Sequence, residues 1–441
     1  MLSLKHFSHL QYFDFTNIKE SNKMKRQITL LSIFIILFGS GFAQTSKRVL
    51  FIGNSYTAVN NLPQIVSELA TSAGDHLIFD SNTPGGQTFQ GHSTNSISLQ
   101  KIMSGNWDFV VLQEQSQLPS FPDWQVQASV FPYAKILDSL IHAYNPCGET
   151  MFYMTWGRKN GDADNCPSWP PLCTYEGMDS LLYLRYMMMA EENNALVSPV
   201  GAVWKYLRQN HPHIELYSSD ESHPSLAGSY AAACCFYTSI FRKDPMSITN
   251  DYNLPAADAA NIRAAVKTIV YENLLNWHIG EYDPIANFSF DISNNMVEFT
   301  NLSTNASSYK WDFGDGETST DISPNHVYDV NDIFTVTLIA NYCDYSDTTK
   351  QSINIITSSV EDPLLQKSIL LYPNPVSDQL IINLENIDEV YVLNSIGQTF
   401  TPSHTSIGTS TSIDFSSFPS GIYFLVISTN GKLVTHKAIK E

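Results

Sequence analysis

From residue 47 to residue 277, short apolar runs alternate with stretches whose apolar residues recur every three or four positions. Residues 48–52 (Arg-Val-Leu-Phe-Ile) read as a buried strand, after which Leu62, Ile65, Val66, Leu69 and Ala73 share one helical face. Residues 107–112 (Trp-Asp-Phe-Val-Val-Leu) give the clearest strand, followed by a long helical pattern over 126–144. Residues 77–79, 151–154, 195–197 and 214–217 read as further strands, with helices between them and a final helix over 224–241. This alternation predicts an α/β domain of three layers, a parallel sheet covered by helices on both faces. In such a sheet, functional groups collect at the carboxyl ends of the strands.

The period changes near Asp283-Pro284. Short alternating strands at 288–290, 297–299, 309–311 and 334–338, with Gly, Asp, Asn and Pro between them, predict a small β-sandwich. Residues 358–367 read as a linker, and from Leu370 short strands and turns resume to the end. No period of 20 to 50 residues repeats, which excludes a solenoid.

Composition narrows the function classes. A chain of 441 residues calls for two or three domains. A net charge of -19 argues against nucleic acid or an anionic membrane as partner. Near the N-terminus, the basic run Lys23-Met24-Lys25-Arg26 precedes an apolar stretch, Leu30 to Phe38, and then Gly41-Phe42-Ala43. That order describes a signal peptide over 24–43, starting at Met24 and cut after Ala43. The apolar run falls short of the roughly 20 residues that a membrane span needs. In an exported chain, Cys166 and Cys173 are placed to form a local disulfide, whereas adjacent Cys234 and Cys235 sit in a helical pattern as buried thiols. No spacing suggests a metal site, and no cofactor is expected.

Ser55, in the turn Gly53-Asn54-Ser55-Tyr56, follows the first strand directly. A serine hydroxyl is a weak nucleophile until a base takes its proton. The candidate base lies in Asp220-Glu221-Ser222-His223-Pro224, where Asp220 can accept a hydrogen bond from one ring nitrogen of His223 and leave the other for Ser55. The loop after the fourth strand carries Trp156 and Arg158, and later Trp169, as candidate walls of a substrate groove. No Gly-x-Ser-x-Gly elbow occurs in the sheet domain, and Gly85-Gly86 lacks the Lys-Ser/Thr of a phosphate loop.

Gly-Asn-Ser-Tyr after the first strand and Asp-x-x-His-Pro before the last helix resemble blocks one and five of the SGNH, or GDSL-type, hydrolases. The resemblance spans residues 44–280 and implies Ser55 and His223 as catalytic residues, with Asp220 orienting the histidine. It implies an oxyanion hole built from the Ser55 amide, the Gly86 amide and a side-chain amide in block three. There this chain departs from the family pattern: Gln113-Glu114-Gln115-Ser116 stands in place of Gly-x-Asn-Asp. It resembles a divergent branch with Leu-Gln-Glu-Gln-Ser, which points to Gln113 as third donor and Gln115 as second choice. Asn54, Gln115, Trp156 and Arg158 are then the expected substrate-binding residues.

Residues 311–316 (Trp-Asp-Phe-Gly-Asp-Gly) with His326-Val327-Tyr328 resemble the signature of a PKD-type, immunoglobulin-like module over 284–357. Asp312 and Asp315 lack the EF-hand pattern and read as turn residues. Tyr372-Pro373-Asn374-Pro375 and Gly421-Ile422-Tyr423 resemble the type A sorting domain of type IX secretion, over 368–441. The resemblances together imply a secreted or surface-displayed serine esterase of a Bacteroidetes-like bacterium, acting on acyl groups of a polysaccharide or glycoconjugate. The alternative is an inactive carbohydrate-binding or adhesion protein on the same fold.

Overall fold

The computed structural model describes residues 45–356, 369–384, 387–395, 397–407, 409–429 and 432–441. The expected signal peptide and linker lie outside the described residues. The chain divides into two compact units on either side of Gly280.

The first unit is built on five parallel strands: β1 (Ser46–Ile52), β2 (His76–Asn82), β3 (Phe109–Leu112), β4 (Glu149–Tyr153) and β5 (Leu196–Ser198). Their spatial order is β2-β1-β3-β4-β5. Strand β1 has β2 on one side and β3 on the other, so the chain reverses its winding there and leaves a crevice at the carboxyl end. The helices are α1 (Ser55–Ala58), α2 (Leu62–Ser72), α3 (Phe89–His92), α4 (Ser96–Met103), α5 (Asp123–Ser129), α6 (Phe131–Tyr144), α7 (Tyr175–Asn193), α8 (Val200–Asn210), α9 (Leu226–Phe241) and α10 (Ala256–Ile269). In β1, residues 49–52 are wholly buried, as a central strand covered on both faces requires. The α9 helix is buried on every side, and its Phe236 meets Phe51 and Tyr153 edge to face at 5.5 and 4.9 Å.

Three expectations change. The single helix over 126–144 is two, α5 and α6, meeting at Val130 with Pro132 in the first turn of the second. Proline has no N–H for a continuous ladder but suits a new helix start. Residues 214–217 form no strand of the sheet. Tyr217 makes one isolated bridge to Pro224, which cannot donate to extend a ladder, and the pair closes the loop that carries His223. The helix over 224–241 begins at Leu226 and is not the last, since α10 follows. Only Ala259, Ile262, Ala265 and Val266 of α10 are buried, a stripe of mostly small residues that leaves a faint sequence pattern.

The second unit begins with a three-stranded and a four-stranded antiparallel sheet between Phe288 and Asn354. Trp311, Phe299, Tyr328, Val336 and Leu338 fill the core they share. The Trp311 indole donates to Asp321 O at 3.0 Å, satisfying its one donor. Asp312 and Asp315 accept from the N–H groups of Gly314 and Glu317, each at 3.0 Å, which is turn chemistry. Residues beyond Ile369 form two more four-stranded sheets around a separate core that includes Leu380, Val392, Leu425 and Val434. Among the described residues, no helix is long and apolar enough to cross a membrane.

Candidate active site

The turn after β1 sets the first side chain. Ser55 opens α1, and the Asn54 side chain caps it by accepting from Tyr56 N at 3.1 Å. Gly53 is needed here because a Cβ would lie 2.6 Å from Thr57 Oγ1 and 2.7 Å from Gln113 Oε1. Behind the turn, the buried His92 ring meets Gly53 O at 2.8 Å through Nε2 and Ser98 Oγ at 2.7 Å through Nδ1. Burial holds the His92 pKa below its ordinary value, against the Gly53 carbonyl, so the ring is a neutral strut.

His223 arrives on the loop between α8 and α9. Ser218 N donates to His223 O at 2.8 Å, and Asn60 Nδ2 donates to Pro224 O at 3.3 Å and Ser225 O at 3.1 Å. His223 Nε2 lies 2.8 Å from Ser55 Oγ, and Nδ1 lies 2.5 Å from Asp220 Oδ2. The other Asp220 oxygen accepts from the N–H groups of His223 at 2.9 Å and Ser222 at 3.1 Å. Burial pushes the Asp220 carboxyl up, but His223 and these two amides outweigh it and hold it below the usual carboxylate range. A carboxylate on Nδ1 fixes the tautomer with an acceptor at Nε2, aimed at the Ser55 hydroxyl.

These groups face a cavity of about 270 Å³ whose walls include Ser55, His223, Gly86, Gln115, Ser116 and Arg158. Gly86 sits at the left-handed corner (φ 68°) of a turn closed by Gln87 N donating to Pro84 O at 3.2 Å. A backbone N–H there and that of Ser55, in the first turn of α1, are unoccupied by the helical ladder. Arg158 Nη1 donates to the buried Asp162 at 3.3 Å. Burial raises Asp162, yet Gln117, Asn165 and Arg158 together lower its pKa.

Block three departs from expectation. Gln113 is wholly buried, and its amide hydrogens go to Asn54 Oδ1 at 2.9 Å and to Glu114 O. Its Oε1 accepts from Asn54 N at 2.9 Å and Thr57 Oγ1 at 3.0 Å. With both donors used, it braces the Ser55 turn and has none left for a substrate oxygen. Gln115 does line the cavity, with one amide hydrogen engaged by Gln117 Oε1 at 3.0 Å. Asn54 lines it too, but its amide donates to Gln87 O at 2.9 Å and its oxygen caps α1, so it acts as a brace.

Trp156 is not a groove wall. It is wholly buried, stacked at 3.6 Å on Trp204 and at 4.9 Å on Tyr56, and its Nε1 donates to Ser222 O at 3.1 Å. Its neighbours in sequence explain the misreading: a loop tryptophan gives no periodic signal of burial. Trp169, half-buried, donates to Ser120 O at 3.1 Å, beside the Cys166–Cys173 disulfide. Cys234 and Cys235 are buried free thiols. Sequence reasoning passed over Glu114, Ser116 and Ser222, whose only signal was adjacency to the quoted motifs. Among the described residues, no cluster of His, Cys, Asp or Glu is arranged to hold a metal ion.

Residues 283–357 match the family model of the PKD domain, and residues 370–441 match that of the Secretion system C-terminal sorting domain. No curated protein matches the chain. Among solved structures, the chain is similar to a DUF4886 family protein from Bacteroides uniformis, with 18% identity, 52% of this chain and 95% of that one covered, and a TM-score of 0.45. It is similar to the psychrotrophic esterase EstA from Pseudoalteromonas sp., with 14% identity, coverage of 44% and 97%, and a TM-score of 0.32. Its PKD segment is similar to the PKD1 domain of the Vibrio cholerae metalloprotease PrtV, with 35% identity, coverage of 17% and 99%, and a TM-score of 0.17.

Proposed function

We propose that the first unit is a serine ester hydrolase of SGNH type that removes acetyl or other small acyl groups from a polysaccharide or glycoconjugate. The observation that carries this reading is the chain of contacts from Ser55 Oγ to His223 Nε2 at 2.8 Å and from His223 Nδ1 to Asp220 at 2.5 Å. His223 takes the Ser55 proton as Oγ attacks the ester carbonyl, and Asp220 stabilises the imidazolium that forms. The carbonyl oxygen becomes an oxyanion facing the N–H groups of Ser55 and Gly86, with the Gln115 amide in reach of the same cavity. Collapse expels the alcohol, which takes the proton from His223, and leaves an acyl group on Ser55. Water then attacks that acyl group, giving a proton to His223; the bond to Ser55 Oγ breaks, His223 returns the proton to Oγ, and the carboxylic acid leaves.

A cavity of about 270 Å³, with polar and apolar surface in similar shares, favours an acyl group of acetyl size over a long chain. A signal peptide over 24–43, the PKD-like module over 284–357 and a cleaved sorting tail over 368–441 make the enzyme a cargo of type IX secretion. The occupied amide of Gln113 favours one rival, an inactive glycan-binding protein on the same fold. Turnover of p-nitrophenyl acetate by the full chain, compared with Ser55→Ala, separates the two. Equal inertness of both proteins while polysaccharide is still retained would overturn the esterase reading.

A further inference from the structure

Beside Ser55 lies an ionisable group that the proposed chemistry does not use. Glu114 is fully buried. Both its carboxyl oxygens lie 3.1 Å from Phe89 N, and one of them lies 2.5 Å from Gln115 N. Burial pushes its pKa up to about 8, against the pull of those two N–H groups. An acid sequestered from water without a charged partner costs stability, so a smaller apolar residue would serve packing better.

Its contacts converge on the Gly86 turn. Residues 87–89 follow Gly86 directly and are pinned at two points. Asn54 Nδ2 donates to Gln87 O at 2.9 Å, and the Glu114 carboxyl accepts from Phe89 N. The Glu114 main chain is held in turn: its carbonyl accepts from Asn54 Nδ2 at 3.4 Å and from Gln113, and its N–H donates to the Tyr186 hydroxyl at 3.3 Å. Three loops, after β1, β2 and β3, therefore meet at one side chain and its backbone.

We propose that Glu114 is a positioning residue, whose carboxyl locks the Gly86 turn to the Ser55 turn so that the Gly86 N–H stays aimed at the developing oxyanion. This rests on the esterase reading for its kinetic consequence, though not for the clamp itself. The glutamines that flank Glu114 then have a common purpose: Gln113 braces the nucleophile turn and Gln115 supplies an N–H to the clamp. The departure of block three from its family becomes an exchange of a direct donor for a scaffold that orients another donor.

The test uses the full chain with Glu114→Ala and Glu114→Gln, read by p-nitrophenyl acetate kinetics and by amide hydrogen exchange at Phe89 and Gln115. Glu114→Ala should lower kcat about 10- to 100-fold with KM little changed, because only transition-state binding is disturbed. Glu114→Gln keeps an oxygen acceptor for both N–H groups and should restore kcat to within a few-fold of wild type. Exchange at Phe89 should quicken in the alanine variant and stay protected in the glutamine variant. If Glu114→Ala does not fold, Glu114→Asp, which withdraws the carboxyl by one methylene, carries the same expectation of lowered kcat. A folded alanine or aspartate variant with wild-type kcat overturns the proposal, as does unchanged exchange at Phe89. A wild-type protein inert towards the ester would overturn the esterase reading alone, because the exchange measurement still reads the clamp.

Discussion

The ring of Tyr56 lies flat against Trp156, with centroids 4.9 Å apart and planes 9° from parallel, while its hydroxyl meets Ser222 Oγ at 2.6 Å. Tyr56 follows Ser55, and Ser222 precedes His223, so one side chain spans from the Ser55 turn to the His223 loop. The His223 ring also meets Tyr56 edge to face at 5.2 Å. Burial raises the Tyr56 pKa, with the Ser222 and Ser116 hydroxyls opposing, so its hydroxyl keeps its proton for this contact.

Tyr56→Phe keeps the stack and deletes the hydrogen bond. The expected cost is about 0.5–1.5 kcal/mol of stability, with a fall in kcat larger than any change in KM, because the His223 loop loses its tether. Trp156→Ala removes the layer beneath and should cost about 3–5 kcal/mol. Thermal melts and steady-state kinetics of both variants check this, and an unchanged kcat in Tyr56→Phe would show that Asn60, Trp156 and Ser218 hold the loop without the tyrosine hydroxyl.

Gln113 and Gly86 should respond in opposite ways. Gln113→Glu keeps the shape of the side chain but turns an oxygen towards Asn54 Oδ1 and Glu114 O, which accept from its amide. That variant should lose about 3 kcal/mol or more, as a buried charge facing acceptors must. Gly86→Ala meets no atom within 4 Å, and its penalty is confined to the left-handed backbone, about 1–2 kcal/mol. It should stay folded and lose kcat as the turn relaxes. Denaturation midpoints beside kcat for the two proteins give the answer, and a fully stable Gln113→Glu would contradict the bracing role.

Local chemistry made Ser55, Asp220 and His223 legible, because a strand end, a turn and a helix start each leave a mark within a few residues. The sequence could not say what Gln113 touches. Its partners Asn54 and Thr57 lie some 60 positions away, and only the sheet order brings β1 beside β3. Trp156 was misread for a related reason: its neighbours Tyr56 and Trp204 come from different crossings of the sheet. The strand expected at 214–217 shows the limit of apolar runs as a signal, since Leu216 and Tyr217 are buried against loops and helices with no ladder to join.

Deleting residues 368–441 should separate export from chemistry. The tail has its own core, with Leu380, Val392, Leu425 and Val434 buried among tail residues. The truncated chain should hydrolyse p-nitrophenyl acetate as the full chain does, yet remain in the periplasm of a host with type IX secretion. Fractionation of the host with an antibody to the first unit reads the outcome, and unchanged surface display would remove the sorting role from this segment.

The carboxyl of Glu114 also predicts how stability varies with pH. In the unfolded chain it ionises near its ordinary value of 4.5, whereas burial holds the folded group at about 8. Below pH 4.5 both states carry the proton and the contribution is fully present. Between 4.5 and 8 only the unfolded chain has released it, so stability falls as pH rises, and above 8 the loss is complete. One proton allows a slope no steeper than about 1.4 kcal/mol per pH unit. Asp162, Asp220 and His92, shifted downward, favour the folded state in the opposite direction, and Asp179 and His142, shifted upward, act in the same direction as Glu114, so the net curve of the wild type mixes many groups. Glu114→Gln cannot ionise and leaves the other groups in place. The difference in unfolding free energy between wild type and Glu114→Gln, measured by urea titration from pH 4 to pH 9, should therefore decline through this window and level off above pH 8. A difference that stays flat across the whole range would mean that the folded carboxyl ionises as freely as in the unfolded chain, and that the clamp holds a charge rather than a proton.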